Sequence, residues 1–219
     1  MDAYTLVIGN KNYSSWSLRP WLAMTQAGIP FTEHFVRLFH GDWRAELAKV
    51  SPTVKVPVLL HGDVAVWESL AILDYLADRH PDKGLWPADD AARAMARSAA
   101  AEMHAGFTAL RNLMPMNLRR DDLKGRGRGP GLDKDVDRVT ALWRECRERF
   151  GAGGPFLFGA FTNADAMFAP VVTRLDTYGV DLDPVCAEYS QAVLTMPAFK
   201  QWKAAALEEP WIIDEDEID

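Results

Sequence analysis

The sequence has little cysteine, no long hydrophobic run and no charge imbalance outside its last residues. Its 219 residues include only Cys146 and Cys186, and no metal-ligand spacing surrounds them. A disulfide framework is therefore excluded, no metal is expected, and a reducing compartment is favoured. No stretch approaches the roughly 18 apolar residues of a transmembrane helix. The first residues lack a charged segment followed by an apolar run, so we expect a cytoplasmic protein without a signal peptide or a membrane partner.

The net charge of −7 is a property of the C-terminal end. Seven of the 31 acidic residues lie after Leu207, where no basic residue occurs, so residues 1–207 balance 24 acidic against 24 basic residues. A nucleic-acid-binding domain needs a basic surface, and we therefore expect no nucleic-acid partner. We predict that residues 210–213 dock on the protein and that residues 214–219 stay in solvent.

The first eighty residues alternate between short β-rich runs and segments with helical periodicity. We predict strands over residues 4–8 and 31–36, and a hairpin of strands 58–61 and 64–67 around Gly62-Asp63. The predicted helices of this part cover residues 17–27, 42–49 and 68–79. This order of elements indicates a small α/β sandwich with a mixed sheet.

Residues 81–89 carry the turn residues of a linker, and no convincing strand follows them. The glycine-rich segment 124–131 is predicted to be a loop, and it lacks the preceding strand of a phosphate-binding loop. We therefore predict two domains, residues 1–80 and the all-α residues 90–219, joined by the linker. The predicted helices of the second part cover residues 89–117, 133–150, 162–177, 185–194 and 198–207.

Two serines precede the first helix, in the segment Tyr13-Ser14-Ser15-Trp16-Ser17. Unsatisfied backbone N–H groups and the helix dipole make a helix start favourable for an anion. A hydroxyl held there can donate a hydrogen bond to a thiolate and stabilise it. Serine is also an ordinary N-cap residue, so the local pattern leaves both interpretations open.

Two further pairs flank the predicted hairpin. Val56-Pro57 precedes its first strand, where a cis bond would turn backbone groups outward toward a peptide-like ligand. The alternative is a proline that only begins an edge strand. Glu68-Ser69 begins the next helix, where a carboxylate and a hydroxyl could hold an amino-acid head group. Glu68 could equally do no more than complement the helix dipole.

Together these motifs resemble the cytosolic glutathione transferases. The resemblance is carried by Ser-Ser-x-Ser-x-Arg at 14–19, Val-Pro at 56–57 and Glu-Ser-x-Ala-Ile-x-x-Tyr-Leu at 68–76. It implies a thioredoxin-like N-terminal domain followed by an all-α domain. Residues 161–165 look like the family's N-capping box, in which Thr162 and Asp165 satisfy backbone donors, so Asp165 is predicted to be structural.

Within that family the serine motif is most similar to the zeta class, the maleylacetoacetate isomerases, as are residues 105–113. Trp16 stands where the zeta motif usually has cysteine, and Pro20-Trp21 replace an arginine-rich continuation. Trp16 therefore removes a thiol from the pocket mouth and fills it with an indole. Isomerase activity is for this reason the alternative and not the leading expectation.

The resemblance also implies roles for residues at the thiol and along the peptide. Ser14, or in second place Ser15, would donate a hydrogen bond to the sulfur of glutathione and hold it as thiolate. The backbone of Val56 would pair with the cysteinyl segment, and a cis Pro57 would shape the site without touching the sulfur. Glutathione is then the co-substrate.

The ends of glutathione need charged partners, and the resemblance supplies candidates. Glu68 and Ser69 would hold the γ-glutamyl group. His40 and Lys55 both remain candidates for the cation at the glycyl carboxylate. The residues expected on the side of the second substrate are Trp16, Arg19, Arg111 and Asn112.

Three functions remain open at this point. The leading one is a glutathione transferase that conjugates or reduces an electrophilic small molecule. The second is a glutathione-dependent cis–trans isomerase of the maleylacetoacetate type, and the third is a non-catalytic binding or partner protein with the same fold. We also expect a homodimer, because the resemblance implies it and the helix predicted over residues 89–117 would otherwise expose its alanine and methionine face.

Overall fold

The computed structural model describes residues 3–218 and contains a four-stranded sheet followed by a helical bundle. The strands are β1 (Tyr4–Ile8), β2 (Phe31–Phe35), β3 (Val58–His61) and β4 (Val64–Trp67), in the order β2-β1-β3-β4. β1 pairs parallel to β2 and antiparallel to β3, and β3 and β4 form the predicted hairpin. The mixed sheet expected from the order of elements is therefore confirmed.

Strand β1 is apolar throughout its second half because both of its faces are covered. Leu6 and Ile8 belong to the main core, whereas Val7 packs in a smaller cluster on the other face. Helices α1 (Ser15–Gln26) and α3 (Ser69–Arg79) pack against each other, and α2 (Trp43–Leu47) contributes Leu47 to the smaller cluster. A strand buried on both sides reads as a continuous apolar run, as this one does.

The second half of the chain is helical. Its helices are α4 (Asp90–Ala105), α5 (Thr108–Leu113), α6 (Leu132–Phe150), α7 (Asn163–Thr177), α8 (Pro184–Thr195) and α9 (Pro197–Leu207). Helix α7 lies at the centre and packs against α1 and α4, and all its residues from Asn163 to Leu175 are buried. A helix that is buried on every side belongs to the core. Among residues 3–218, no helix combines the length and apolarity that a membrane span requires.

The prediction of one helix over residues 89–117 is wrong. The helix ends at Ala105, Gly106 is extended, and Phe107 adopts a left-handed conformation with φ of 59°. A Cβ at Gly106 would lie 2.8 Å from the carbonyl oxygen of Glu102, so the chain turns where only glycine fits. The glycine-rich segment 124–131 is a loop, as predicted.

The alanine and methionine face of α4, whose expected exposure supported the prediction of a dimer, is buried within the chain. Ala96, Ala99, Ala100 and Met103 of α4 are buried, and α4 packs against α7 of the same chain. The small side chains therefore serve close packing of two helices within one protomer.

The predicted N-capping box at the start of α7 is confirmed. The backbone N–H of Thr162 donates to Asp165 Oδ2 at 2.7 Å, and that of Leu157 donates to Asp165 Oδ1 at 3.1 Å. Burial raises the pKa of Asp165 to about 6, although these donors lower it. Asp165 thus joins the loop before α7 to the first turn of the central helix.

We predict that Asp165→Ala lowers the free energy of unfolding by about 3 kcal/mol, because it leaves buried N–H groups without an acceptor. Asp89→Ala is the matched control, since Asp89 caps α4 at an exposed position through Ala92 N–H. The control should cost only about 1 kcal/mol. Chemical denaturation of both variants measures the difference, and equal losses would contradict a buried role for Asp165.

Candidate functional site

A cavity of about 1130 Å³ lies where the start of α1 meets the helical bundle. Both halves of the chain line it. An adjoining pocket of about 270 Å³ shares Trp16, Lys55 and Val56 with it and extends to Pro57 and Glu68. The predicted site residues that line the larger cavity are Ser14, Ser15, Trp16, Lys55, Val56, Arg111 and Asn112.

The two serines before α1 have different hydrogen bonds. Ser14 is the N-cap: its Oγ accepts from the backbone N–H of Ser17 at 3.3 Å and donates to Ser17 Oγ at 2.8 Å. Ser15 is the first residue of the helix, and its Oγ accepts from Arg174 Nη2 at 3.3 Å. The capping interpretation therefore holds for Ser14, whereas the hydroxyl hydrogen of Ser15 remains available to a ligand in the cavity.

The loop before β3 carries the predicted proline. The peptide bond between Val56 and Pro57 is cis, as expected. Ser51 Oγ holds this loop, because it donates to the Lys55 carbonyl at 2.8 Å and accepts from the Lys55 backbone N–H at 3.1 Å. Lys55 and Val56 are thereby fixed at the junction of the two pockets.

Glu68 and Ser69, which are predicted to hold one group together, have different surroundings in the structure. Glu68 lines the smaller pocket, and its carboxylate lies 3.6 Å from Nε2 of His104. Ser69 is fully buried, and its Oγ accepts from Arg19 Nη1 at 3.3 Å. Its hydroxyl is therefore turned away from the pocket, because it serves the buried guanidinium instead.

Two of the predicted cations also lie outside the cavity. Arg19 is fully buried behind Trp16, with its guanidinium carbon 4.1 Å from the centre of the indole ring. His40 is exposed and lines neither of the two pockets, whereas Lys55 lines both. Of the two candidates for the glycyl carboxylate, the structure brings only Lys55 to the site.

The two cysteines are buried and take no part in this site. Burial raises the pKa of both the Cys146 and Cys186 thiols to about 12, so neither is a nucleophile at neutral pH. Within residues 3–218, no three His, Cys, Asp or Glu side chains come together as a metal site.

Family models match both halves of the chain: the N-terminal domain of glutathione S-transferase over residues 13–79, and its C-terminal domain over residues 129–193. Glutathione S-transferase 1 of Dianthus caryophyllus is 35% identical over 192 residues, which cover 85% of this chain and 86% of that relative. The chain belongs to the glutathione S-transferase family.

Two further similarities refine this assignment. A probable maleylacetoacetate isomerase of Caenorhabditis elegans is 28% identical over 189 residues, covering 85% of this chain and 87% of that protein. It bears out the predicted similarity to the zeta class. The crystal structure of a glutathione transferase homolog from Burkholderia, with bound glutathione, matches with a TM-score of 0.71 and 23% identity, over 94% of this chain and 100% of that chain. The predicted fold is thereby confirmed.

In this glutathione S-transferase, three arginines surround the start of α1. Arg19 and Arg111 lie over the Trp16 ring, with guanidinium carbons 4.1 and 5.3 Å from its centre, and Arg174 contacts Ser15. Burial lowers the pKa of all three, and for Arg174 to about 10. Arg174 therefore stays charged at neutral pH, and the cluster favours an anion in the cavity.

Arg174 was not among the predicted site residues. It lies in the apolar sequence of α7, where an arginine between Thr173 and Leu175 is the only signal that could have marked it. A buried arginine in a core helix needs partners, but the sequence does not reveal that one of them is Ser15, 159 residues away.

The prediction that residues 214–219 stay in solvent is confirmed for Asp214 and Glu215, which are exposed, and wrong for residues 216–218, which are partly buried; Asp219 lies outside the described residues. Ile213 and Asp216 line the cavity of this transferase. Glu217 accepts hydrogen bonds from Tyr13 Oη at 2.5 Å and from Arg120 at 2.9 Å, and its pKa is lowered by these partners against the opposing effect of burial. The acidic tail therefore forms one wall of the site.

The tail is anchored beside the serines. Glu209 accepts hydrogen bonds from the backbone N–H groups of Lys11 at 2.7 Å and Asn12 at 3.1 Å, and Arg119 donates to the carbonyl groups of Glu209 and Trp211. Because these contacts join the segment before α1 to the last residues of the chain, the tail wall and the serine segment form one unit.

We predict that Asp216 opposes anionic second substrates above pH 6. Burial raises its pKa to about 6, Arg174 opposes this increase, and Glu215 and Glu217 add to it. The carboxylate is therefore ionised at pH 7.5 and protonated at pH 5. Asp216→Asn should lower the KM of an anionic electrophile about fivefold at pH 7.5, and leave it unchanged at pH 5.

The matched control is Glu215→Gln, which removes the same charge from the neighbouring exposed residue outside the cavity. Steady-state kinetics with an anionic and a neutral electrophile separate the effects. The same change in both variants, or for both electrophiles, would contradict a local role for Asp216.

Proposed function

We propose that this transferase uses the Ser15 hydroxyl to hold the thiolate of glutathione and conjugates or reduces an electrophilic small molecule. The observation that carries this proposal is the hydroxyl of Ser15 at the cavity, with Arg174 as its donor and its own hydrogen uncommitted. Ser14, which the sequence ranks first, supports the helix start as its N-cap.

Glutathione would lie across both pockets. Its sulfur would approach the start of α1, its cysteinyl backbone would pair with Val56, and its γ-glutamyl ammonium would meet Glu68 in the smaller pocket. Lys55, which lines both pockets, would bind the glycyl carboxylate. The second substrate would enter beside Trp16, Arg111 and Asn112.

The main requirement of this chemistry is that the protein lowers the pKa of the glutathione thiol. A free thiol has a pKa near 8.5, so it is mostly protonated at neutral pH. The positive end of α1, a hydroxyl donor and nearby guanidinium groups each favour the thiolate, and each tenfold gain in thiolate corresponds to about 1.4 kcal/mol. The thiol proton leaves to solvent as the thiolate forms, and the thiolate then attacks the electrophile, which releases its leaving group as an anion. Where the electrophile is instead reduced, a second glutathione thiol completes the reduction and glutathione disulfide is formed.

The second candidate function is the isomerisation of a conjugated diacid. Two observations favour it: the similarity to an isomerase of the zeta class, and Arg111 and Arg174 at the cavity, which could bind carboxylates. Thiolate addition, bond rotation and elimination would complete the reaction without net redox change. Turnover of maleylacetoacetate at a rate above that of conjugation would make isomerisation the main activity.

We predict that Ser15→Ala lowers kcat/KM with a chloronitrobenzene-type electrophile at pH 6.5 by about tenfold or more, because a thiolate donor is lost. Ser14→Ala removes only a helix cap, so its main effect should be a loss of about 1 kcal/mol in stability. Ser190→Ala, a buried serine on α8, is the control and should behave as wild type.

The comparison of these variants separates the proposals. A large loss in Ser14→Ala with an active Ser15→Ala would transfer the thiolate role to Ser14. Glutathione binding without turnover in the wild type, across several electrophiles, would favour the non-catalytic alternative.

We also propose that the protein is a homodimer. The edge strand β4 exposes Val64 and Trp67, which are 47% and 42% accessible in the single chain. An apolar edge strand favours pairing with another chain. Trp67→Glu should therefore shift the mass in light scattering toward the monomer, whereas Val185→Glu, at an exposed apolar residue of α8, should not. A wild-type monomer at micromolar concentration would contradict the proposal.

A further inference from the structure

We propose that Arg174 is a positioning residue for thiol activation: it fixes the Ser15 hydroxyl from behind and holds a positive charge beside the glutathione sulfur. The inference rests on the proposed function, because it assigns a partner to the same hydroxyl. Arg174 lies on α7 in the helical half of the chain, whereas Ser15 begins α1. The activating arrangement is thus shared between the two halves.

The Arg174 guanidinium is held at all three of its nitrogens. Nε donates to the Met114 carbonyl at 2.8 Å, Nη1 to the Pro170 carbonyl at 3.3 Å, and Nη2 to Ser15 Oγ at 3.3 Å. The residue is only 4% exposed, yet it lines the cavity. A guanidinium fixed in this way cannot turn away from Ser15 without leaving buried carbonyl groups unpaired.

This contact decides how Ser15 can be used. A hydroxyl has one hydrogen to donate and two lone pairs that accept. Arg174 occupies one lone pair, so the hydrogen of Ser15 is directed to another acceptor, and a donated hydrogen bond from a charged group strengthens the next one in the chain. Ser15 is thereby prepared to donate to a thiolate in the cavity.

The charge of Arg174 adds to the effect of this hydrogen bond. Its three hydrogen bonds go to neutral oxygens, so none of them cancels the charge. Burial, and to a smaller extent Arg111, lower the pKa of Arg174, whereas Asp216 and Tyr178 raise it, and at about 10 the group remains protonated at neutral pH. A positive charge in a partly desolvated site stabilises a nearby anion far more than it would in water.

A purely structural role for Arg174, as a tie between α7 and the start of α1, makes different predictions. Such a tie would affect stability and the binding of glutathione, but it would not change the protonation of the bound thiol. The test therefore measures the pKa of bound glutathione directly, by the ultraviolet difference absorbance of its thiolate as a function of pH.

We predict that Arg174→Gln raises the pKa of the bound thiol by about one pH unit and lowers kcat/KM about tenfold at pH 6.5. The rate difference should shrink at high pH, where the thiol ionises without help. Arg174→Lys keeps the charge but cannot donate hydrogen bonds to Met114, Pro170 and Ser15 together, so it should raise the pKa of the bound thiol less than Arg174→Gln does. The matched control is Arg147→Gln, because Arg147 also donates to backbone carbonyls of the helical half, away from the cavity.

The outcomes distinguish this inference from the proposed function. A wild-type complex without thiolate at neutral pH would overturn the proposed function and the inference with it. A wild-type thiolate whose titration is unchanged in a folded Arg174→Gln variant would overturn the inference alone, as would an equal shift in Arg147→Gln. If circular dichroism shows that Arg174→Gln is unfolded, the Arg174→Lys titration decides: an unchanged pKa overturns the inference and a raised one supports it.

Discussion

The constraint on which this structure depends is the burial of positive charge at the start of α1. Arg19 and Arg174 are both buried, and their hydrogen bonds go to neutral groups: the hydroxyls of Ser69 and Ser15 and two backbone carbonyls. Burying a cation costs free energy unless partners compensate it. Within the described part of the chain, Nε and Nη2 of Arg19 have no hydrogen-bond partner. An anion in the adjoining cavity would offset the charge of Arg174, which lines that cavity, whereas Arg19 lies outside it.

Arg174 joins the two halves of the chain, whereas Arg19 joins two helices of the N-terminal half. Arg174 connects α7 to Ser15, and Arg19 connects α1 to Ser69 at the start of α3. The guanidinium groups of Arg19 and Arg111 both lie over the Trp16 ring, and these cation–π contacts offset part of the cost of placing two like charges close together. A site built on these contacts is as rigid as the interface between the halves, because the groups that hold the interface also form the site.

The parts of the fold that the sequence could predict are those that local physics determines. The capping box of Thr162 and Asp165 and the hairpin around Gly62-Asp63 depend on residues only a few positions apart. The tail could not be predicted, because Glu209 finds its partners at Lys11 and Asn12, nearly two hundred residues earlier. From its neighbours in the sequence alone, an acidic segment is predicted to lie in solvent. For the same reason the sequence does not predict the contact of Arg174 with Ser15, or that Ser69 contacts Arg19.

The two adjacent serines show that a sequence motif alone does not identify which hydroxyl contacts the ligand. Ser14 and Ser15 have the same side chain, but neighbouring positions at the start of a helix make different hydrogen bonds. The Ser14 side chain, at the N-cap, accepts a hydrogen bond from the N–H group of Ser17, whereas the Ser15 side chain does not cap the helix. Ser14 therefore forms the helix end whose dipole favours an anion, and in the function we propose Ser15 faces that anion. On this proposal the choice between them is made by Arg174, which approaches Ser15 from another helix, so the identity of the thiol-holding hydroxyl would be a property of the tertiary structure and not of the motif.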